Sequence, residues 1–272
     1  MVSVRGLVLA SFLPHTVYSV YSIYSTRAEL TPTTTAGTMD QVTAALFPDT
    51  ASRPRYLGGI VNHGVYATST FGSVHAGVAD AVIGTIASSE STAAPHDVTT
   101  SDMAQAIAAC PILSTTLVSP AQLLATQLQK LAINAVINPL TVIFDCRNGE
   151  LFTETRIVAL AERLIVEISD VVRAVAICAQ GPSVGADVVA RLDRERLRAA
   201  VFDVGRRTAD NISSMRQDRL AGRTTEIDYI NGYVVARGVK YGVPCPLNAR
   251  IVQLVKDMRQ VPVGQIQDVF GI

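Results

Sequence analysis

Lys130, Asn134 and Asn138 recur every four residues in KLAINAVINPLT, a stretch otherwise built largely of Leu, Ala, Ile and Val. That spacing stacks an ammonium and two carboxamides along one face of a helix. Two readings stand side by side. Taken singly, Lys130 is a lysine that snorkels to solvent. Asn134 and Asn138 are then amides bonding between helices, or Asn138 is a cap before Pro139. Taken together, the three are donors in an apolar setting, where an unpaired buried amide costs about 1–3 kcal/mol and a charge far more. A shared polar object would answer all three: a ketone oxygen, a hydroxyl or a carboxylate.

Two further polar stretches follow. In NISSMRQDRLAG (211–222), Ser213 or Ser214 caps a short helix that closes at Gly222. A helix start also offers free N–H groups and partial positive charge to a carboxylate. In RTTEIDYINGYVVARGVKY (223–241), Thr224 or Thr225 caps a helix with Glu226 in its first turn. Glu226 either complements the helix dipole there, or stands beside Lys130 and keeps that lysine charged despite desolvation.

The elements that must carry these groups divide the chain in two. From about residue 119 onward helical patterns dominate, at 119–146, 150–180, 186–208, 213–221, 225–241 and 246–259. Gly222 and Gly242 stand where helix C-termini favour a residue tolerant of positive φ, and Pro244 and Pro246 follow as breakers. The earlier part is rich in Ser, Thr, Ala, Val and Gly. VRGLVLASF (4–12) reads as a buried parallel strand and MDQVTAALF (39–47) as a helix. Residues 55–68 and 73–86 read as strands, and 87–97 as a polar linker. Residues 99–111 form a helix capped by Ser101 or Thr100 and ended by Pro111. The fold class is therefore α/β over residues 1–118, followed by an all-α domain over 119–272.

With 49% hydrophobic residues in a chain of 272, there is ample apolar surface for a core. Lys+Arg and Asp+Glu both number 23, so the basic excess that favours nucleic acid or an anionic membrane is missing. No apolar run reaches the roughly 18 residues needed to cross a bilayer. Cys110, Cys146, Cys178 and Cys245 are widely spaced and read as reduced thiols of an intracellular protein. His15, His63, His75 and His96 are scattered, and no cluster has metal-ligand spacing, so no metal is expected. GLVLASFL (6–13) follows Arg5, and no acidic residue precedes Glu29. A short signal segment or a mitochondrial presequence is thus an alternative to the strand, and the expected location is cytoplasmic, alternatively mitochondrial.

Three stretches resemble, in order and at comparable spacing, the C-terminal half of the ketopantoate reductase (2-dehydropantoate 2-reductase) family. They are KLAINAVINPLTVIFDCRNGEL, SSMRQDRLAGRTTEIDYINGY and YGVPCPLN. A weaker likeness extends upstream through FPD (47–49), GGIVNHGVYAT (58–68) and VHAG (74–77). The resemblance implies a Rossmann-type NADP-binding domain followed by a helical domain like the C-terminal domain of 6-phosphogluconate dehydrogenase. It implies NADPH-dependent reduction of 2-dehydropantoate to pantoate, on the way to pantothenate and coenzyme A. By the same resemblance Lys130 is the proton donor, and Glu226 lies near cofactor and substrate. Asn134, Asn138 and Asn148 contact substrate, and Ser214, Met215, Arg216 and Gln217 take its carboxylate end. Val65 and Glu226 are the expected cofactor contacts. The partner is a small 2-keto acid, with a homodimer as a further expectation.

Against that family pattern, no G-x-G-x-x-G occurs in the chain. Such a turn belongs to the first strand and helix of a Rossmann domain, and by the resemblance Met1 falls just before a middle strand. Phe12 stands near a family lysine, and Ala36, before Gly37, where the family carries Asn-Gly. The expectation is an incomplete parallel sheet with its usual cofactor contacts replaced and its substrate side retained. A catalytically inactive family member, acting as a binding or dimerisation module, is the alternative, as is another 2-keto acid as substrate.

Overall fold

The computed structural model describes residues 57–67, 72–86, 98–180 and 185–272. The strand expected at 4–12, the helix at 39–47, the linker at 87–97, Phe12 and Ala36 lie outside them. The chain divides into two compact units, Met1–Thr126 and Gln127–Ile272.

In the first unit, the two strand-like stretches each break into a pair: β1 (Leu57–Val61) and β2 (Gly64–Ala67), then β3 (Ser73–Gly77) and β4 (Ala81–Thr85). β2 and β3 form a hairpin in which Gly64 faces Gly77 and Ala67 faces Ser73, with a register shift at Gly64/Val65. A second sheet has the order β1-β4-β5, with β5 spanning Thr115–Val118. β1 runs antiparallel to β4, Leu57 opposite Thr85, whereas β4 and β5 are parallel, Ala81 opposite Thr115. The sheet is thus mixed, and among the described strands the expected parallel pairing holds for β4–β5 alone. That pair is joined through α1 (Asp102–Ala108), the crossover connection that parallel strands require. Ser101 starts α1 by accepting a hydrogen bond from the Ala104 amide at 3.3 Å, as its N-cap position demands. Leu57, Ile83, Val98 and Ala104 form a small core, flanked by Ile107 and Leu117.

The second unit takes most of α2 (Pro120–Ile143) together with α3 (Thr155–Gln180), α4 (Ala186–Arg191), α5 (Arg194–Arg207), α6 (Ser214–Leu220), α7 (Ile227–Tyr241), α8 (Pro246–Lys256) and α9 (Ile266–Phe270). α2 opens on a capping box that its sequence encodes locally. Ser119 Oγ accepts from the Gln122 amide, Gln122 Oε1 accepts from the Ser119 amide, and Pro120 takes the first helical position. α3 packs against α4, α5, α7, α8 and α9. Its Ile157, Leu160, Leu164, Ile168, Val171 and Val172 are buried at the helical spacing that the sequence shows.

The helix expected at 186–208 is two helices, because Asp193 adopts an extended conformation and accepts from the Arg196 amide at 2.8 Å. An aspartate gains more at a cap than inside a helix. Gly242 ends α7 at φ +68°, and Gly222 follows α6 at φ +65°, as their positions predicted. Gly205 of α5 lies against Phe152, whose ring also meets Phe202 at 4.8 Å between centroids. A Cβ at position 205 would fall on that ring. Among the described residues, no helix is long and apolar enough to cross a membrane.

Candidate functional site

α2 does carry Lys130, Asn134 and Asn138 on one face. Lys130 and Asn134 are half-buried and Asn138 is buried. The helix does not stop at Asn138. It continues through Pro139 to Ile143, so Asn138 is not the cap that its place before proline suggested. Proline has no N–H, so the carbonyl four residues earlier, on Ala135, loses its helical partner. Asn231 of α7 supplies the replacement: its Nδ2 donates to Ala135 O at 2.8 Å in a fully buried setting.

One turn later a second side chain intervenes. Thr141 Oγ1 donates to the Asn138 carbonyl at 2.8 Å and meets Ser213 Oγ at 2.6 Å. Ser213 Oγ in turn accepts from the Arg216 amide at 3.1 Å. Each hydroxyl has one hydrogen, so the direction is set: Arg216 N–H to Ser213, Ser213 O–H to Thr141, Thr141 O–H to Asn138 O. This buried chain seats the start of α6 on the Asn138 turn of α2. Ser213 is thus the N-cap and Ser214 the first helical residue.

The remaining sequence-predicted residues fall as follows. Asn148 is buried; its amide N–H donates to Asn211 O at 3.1 Å and its Nδ2 to Thr208 Oγ1 at 3.0 Å. Its Oδ1 has no hydrogen-bond partner within the described protein. Met215 is buried and Ser214 half-buried. Arg216 is committed to Asp145, through Nε to Oδ1 at 3.0 Å and through a terminal nitrogen to the Asp145 carbonyl at 3.1 Å. Gln217 Nε2 donates to the Ile212 carbonyl at 2.8 Å. Arg216 therefore ties α6 to the turn that follows α2, and Gln217 braces the loop ahead of α6.

Glu226 is half-buried and is itself the N-cap of α7, with φ −83° and no side-chain capping bond. This corrects the expected cap at Thr224 or Thr225. The first-turn acid is Asp228, paired with Lys256 at 2.6 Å. α2 and α7 touch through Ala135 and Asn231, each five residues beyond Lys130 and Glu226 respectively. Val65 lies in the β2–β3 hairpin of the first unit, opposite His75. His63 and His75, distant in sequence, meet at 3.0 Å between ring nitrogens; His63 also accepts from the Ala79 amide. Among the described residues, no group of three or more His, Cys, Asp or Glu could hold a metal ion.

Sequence reasoning missed Thr141, Asn231, Asn248 and Glu167. Asn248 Oδ1 accepts from Asn231 Nδ2 at 3.0 Å, and Asn248 Nδ2 donates to Glu167 Oε2 at 2.8 Å. The Glu167 carboxylate also accepts the Leu247 and Asn248 amides, closing the N-terminus of α8 from α3. Pro139 was the available signal, since it announces an orphan carbonyl at Ala135. Nothing local announces which distant amide answers it.

The sequence model of the family described as "Ketopantoate reductase PanE/ApbA C terminal" matches residues 122–259, about half of the chain. The chain belongs to the ketopantoate reductase family. A "Probable 2-dehydropantoate 2-reductase" of Schizosaccharomyces pombe is 31% identical over 223 residues, covering 81% of this chain and 63% of that protein. The 2-dehydropantoate 2-reductase of Yersinia pestis is 41% identical over 128 residues, covering 47% of this chain and 37% of the relative. The chain thus spans less than two thirds of the length of these relatives. Its fold is similar to that of the crystal structure of 2-dehydropantoate 2-reductase from Methylococcus capsulatus, with a TM-score of 0.58 at 19% identity. That likeness covers 94% of this chain and 77% of the other. In this ketopantoate reductase family member, the family match encloses all the polar groups just described around α2, α6 and α7.

Proposed function

We propose that the helical unit binds a small 2-keto acid, 2-dehydropantoate by family, and serves its NADPH-dependent reduction to pantoate. The observation that supports this most is the chain from Asn138 through Thr141 to Ser213. It holds the amide face of α2 and the start of α6 on each other. Donors for a ketone oxygen and for a carboxylate then stand on neighbouring elements, fixed before any ligand arrives. Asn134 and Asn138 orient the substrate oxygens, and Ser214 at the start of α6 takes the carboxylate end, the Arg216 and Gln217 side chains being spent on Asp145 and Ile212. Asn148 Oδ1, a buried acceptor without a protein partner, suits a substrate hydroxyl. Lys130 acts as general acid: when the carbonyl carbon is reduced, the C=O electron pair moves to oxygen and the ammonium gives that oxygen a proton. Glu226 supports Lys130.

The reduction draws on a reduced nicotinamide, and Glu226 is the contact that the helical unit offers it in this reading. The described residues do not fit the phosphates of such a group. Two glycines of the β1-β4-β5 sheet are already filled: a Cβ at Gly58 would meet Leu123, and one at Gly84 would meet the Val118 carbonyl at 2.8 Å. The keto-acid side is therefore the part of the chemistry these residues carry.

Calorimetric titration of the chain with 2-dehydropantoate, with and without NADPH, tests the reading. Saturable keto-acid binding that weakens on Asn138→Leu supports it. Keto-acid binding with no response to NADPH points instead to a binding module, and no binding of either ligand overturns the reading.

A further inference from the structure

Asn231 sits beside the gap that Pro139 makes in α2. Its amide nitrogen reaches two oxygens, Ala135 O at 2.8 Å and Asn248 Oδ1 at 3.0 Å. Both are acceptors, so the NH2 must face them and the amide orientation is fixed. Its own Oδ1 is left buried without a protein partner. The residue is thus placed for what it donates, at the cost of a bare acceptor. Ala135 lies between Asn134 and Asn138, so the unbonded turn is the one that separates two of the candidate substrate contacts. Without a bond between the levels of 135 and 139, the angle between the Lys130/Asn134 half of α2 and the Asn138 half is only softly held. Asn231 closes that turn from outside. Through Asn248 and the Glu167 carboxylate it also fastens the turn to α8 and α3.

We propose that Asn231 is a positioning residue of the keto-acid site, acting by substituting for the hydrogen bond that Pro139 removes. The positioning role rests on the function proposed above; the substitution of one bond for another does not. A double-mutant cycle on the whole chain separates them, using Asn231→Leu, Pro139→Ala and the pair. Leucine matches asparagine in size but donates nothing. Replacing Pro139 by alanine restores an N–H for Ala135 O.

With Pro139 present, Asn231→Leu should shift the urea-unfolding equilibrium by about tenfold, the cost of an orphaned buried carbonyl. In the Pro139→Ala background the shift should shrink by roughly half or more, the remainder belonging to Asn248. In parallel, Asn231→Leu should lower kcat for 2-dehydropantoate by about tenfold or more with a smaller change in KM. Pro139→Ala in the same chain should restore most of it. Additive unfolding effects would overturn the bond substitution whatever the activity. Coupled unfolding with kcat and KM untouched would overturn the positioning role and leave Asn231 a purely structural residue. Should the unsubstituted chain bind no keto acid, the site assignment falls and the positioning role with it, while the unfolding cycle still decides the bond.

Discussion

In the helical unit, six buried polar side chains stand at helix ends or beside Pro139, namely Asn138, Thr141, Asn148, Ser213, Asn231 and Asn248, and a seventh, Ser169, reaches the Leu192 carbonyl at the end of α4. In the sheet unit, among the described residues, His63 is the one buried polar side chain, and its ring joins the Ala79 amide to the Leu113 carbonyl. The same rule operates in both: a buried backbone group without a regular partner is met by a side chain. The numbers differ because the architectures differ. Ladders satisfy strand backbones laterally, whereas each helix leaves orphan groups at both ends. A bundle of short helices therefore accumulates internal polar groups. In this chain two of those groups, Asn138 and Asn148, are also candidate substrate contacts.

Inside the helical unit, chemistry and architecture separate at Lys130. Lys130→Ala should lower turnover of 2-dehydropantoate by about 10²–10⁴-fold while leaving the circular dichroism spectrum and urea midpoint close to those of the parent. Unchanged turnover would remove Lys130 from the mechanism.

Packing comes next in size. Leu160→Ala, at a site with no solvent exposure, should cost about 2–5 kcal/mol in urea unfolding. Leu117→Ala, beside the small sheet core, should cost about 1–2 kcal/mol because the residue is only half-buried. Equal costs would mean that the two units are packed alike.

Ser213→Ala tests the polar groups themselves. It removes the α6 cap and the donor to Thr141, and about 1–2 kcal/mol of stability should go with it. Keto-acid affinity should fall too, since α6 is then less firmly seated on α2. A loss of stability without any loss of affinity would confine the hydroxyl chain to folding.

The smallest effect concerns the thiols. Burial, aided by the Glu150 charge, pushes the Cys146 thiol up to about 11. Burial also raises Cys245, whereas Cys178 is exposed. Alkylation at pH 8 should therefore mark Cys178 first and Cys146 slowly. The folded state holds the Cys146 proton more tightly than the unfolded chain does. Its contribution to stability is present below about 9 and is lost as pH climbs toward about 11. Rapid labelling of Cys146 at pH 8 would contradict this raised pKa.

Much of the helical unit was legible because helix ends write themselves locally. Ser213, Gly242 and Pro246 each mark a boundary within a residue or two of where it falls. The one merged helix, 186–208, hid a cap at Asp193 amid a run of charged residues. The sheet was less legible because register is decided by partners far away in the chain. Nothing near Leu57 says that it lies antiparallel to Thr85, and nothing near Ala81 says that it lies parallel to Thr115. The candidate site divides in the same way. Lys130, Asn134 and Asn138 announce themselves by spacing, but the groups that brace them come from 72 to 96 residues further along the chain.

The contact between Gly205 and Phe152 has a historical consequence. A larger residue at 205 is barred while the phenylalanine stands, and trimming the phenylalanine first opens a hole beneath Phe202. Either path between alternative pairs crosses a less stable intermediate. These two sites should consequently change in descendants only as a couple, and in a preferred order.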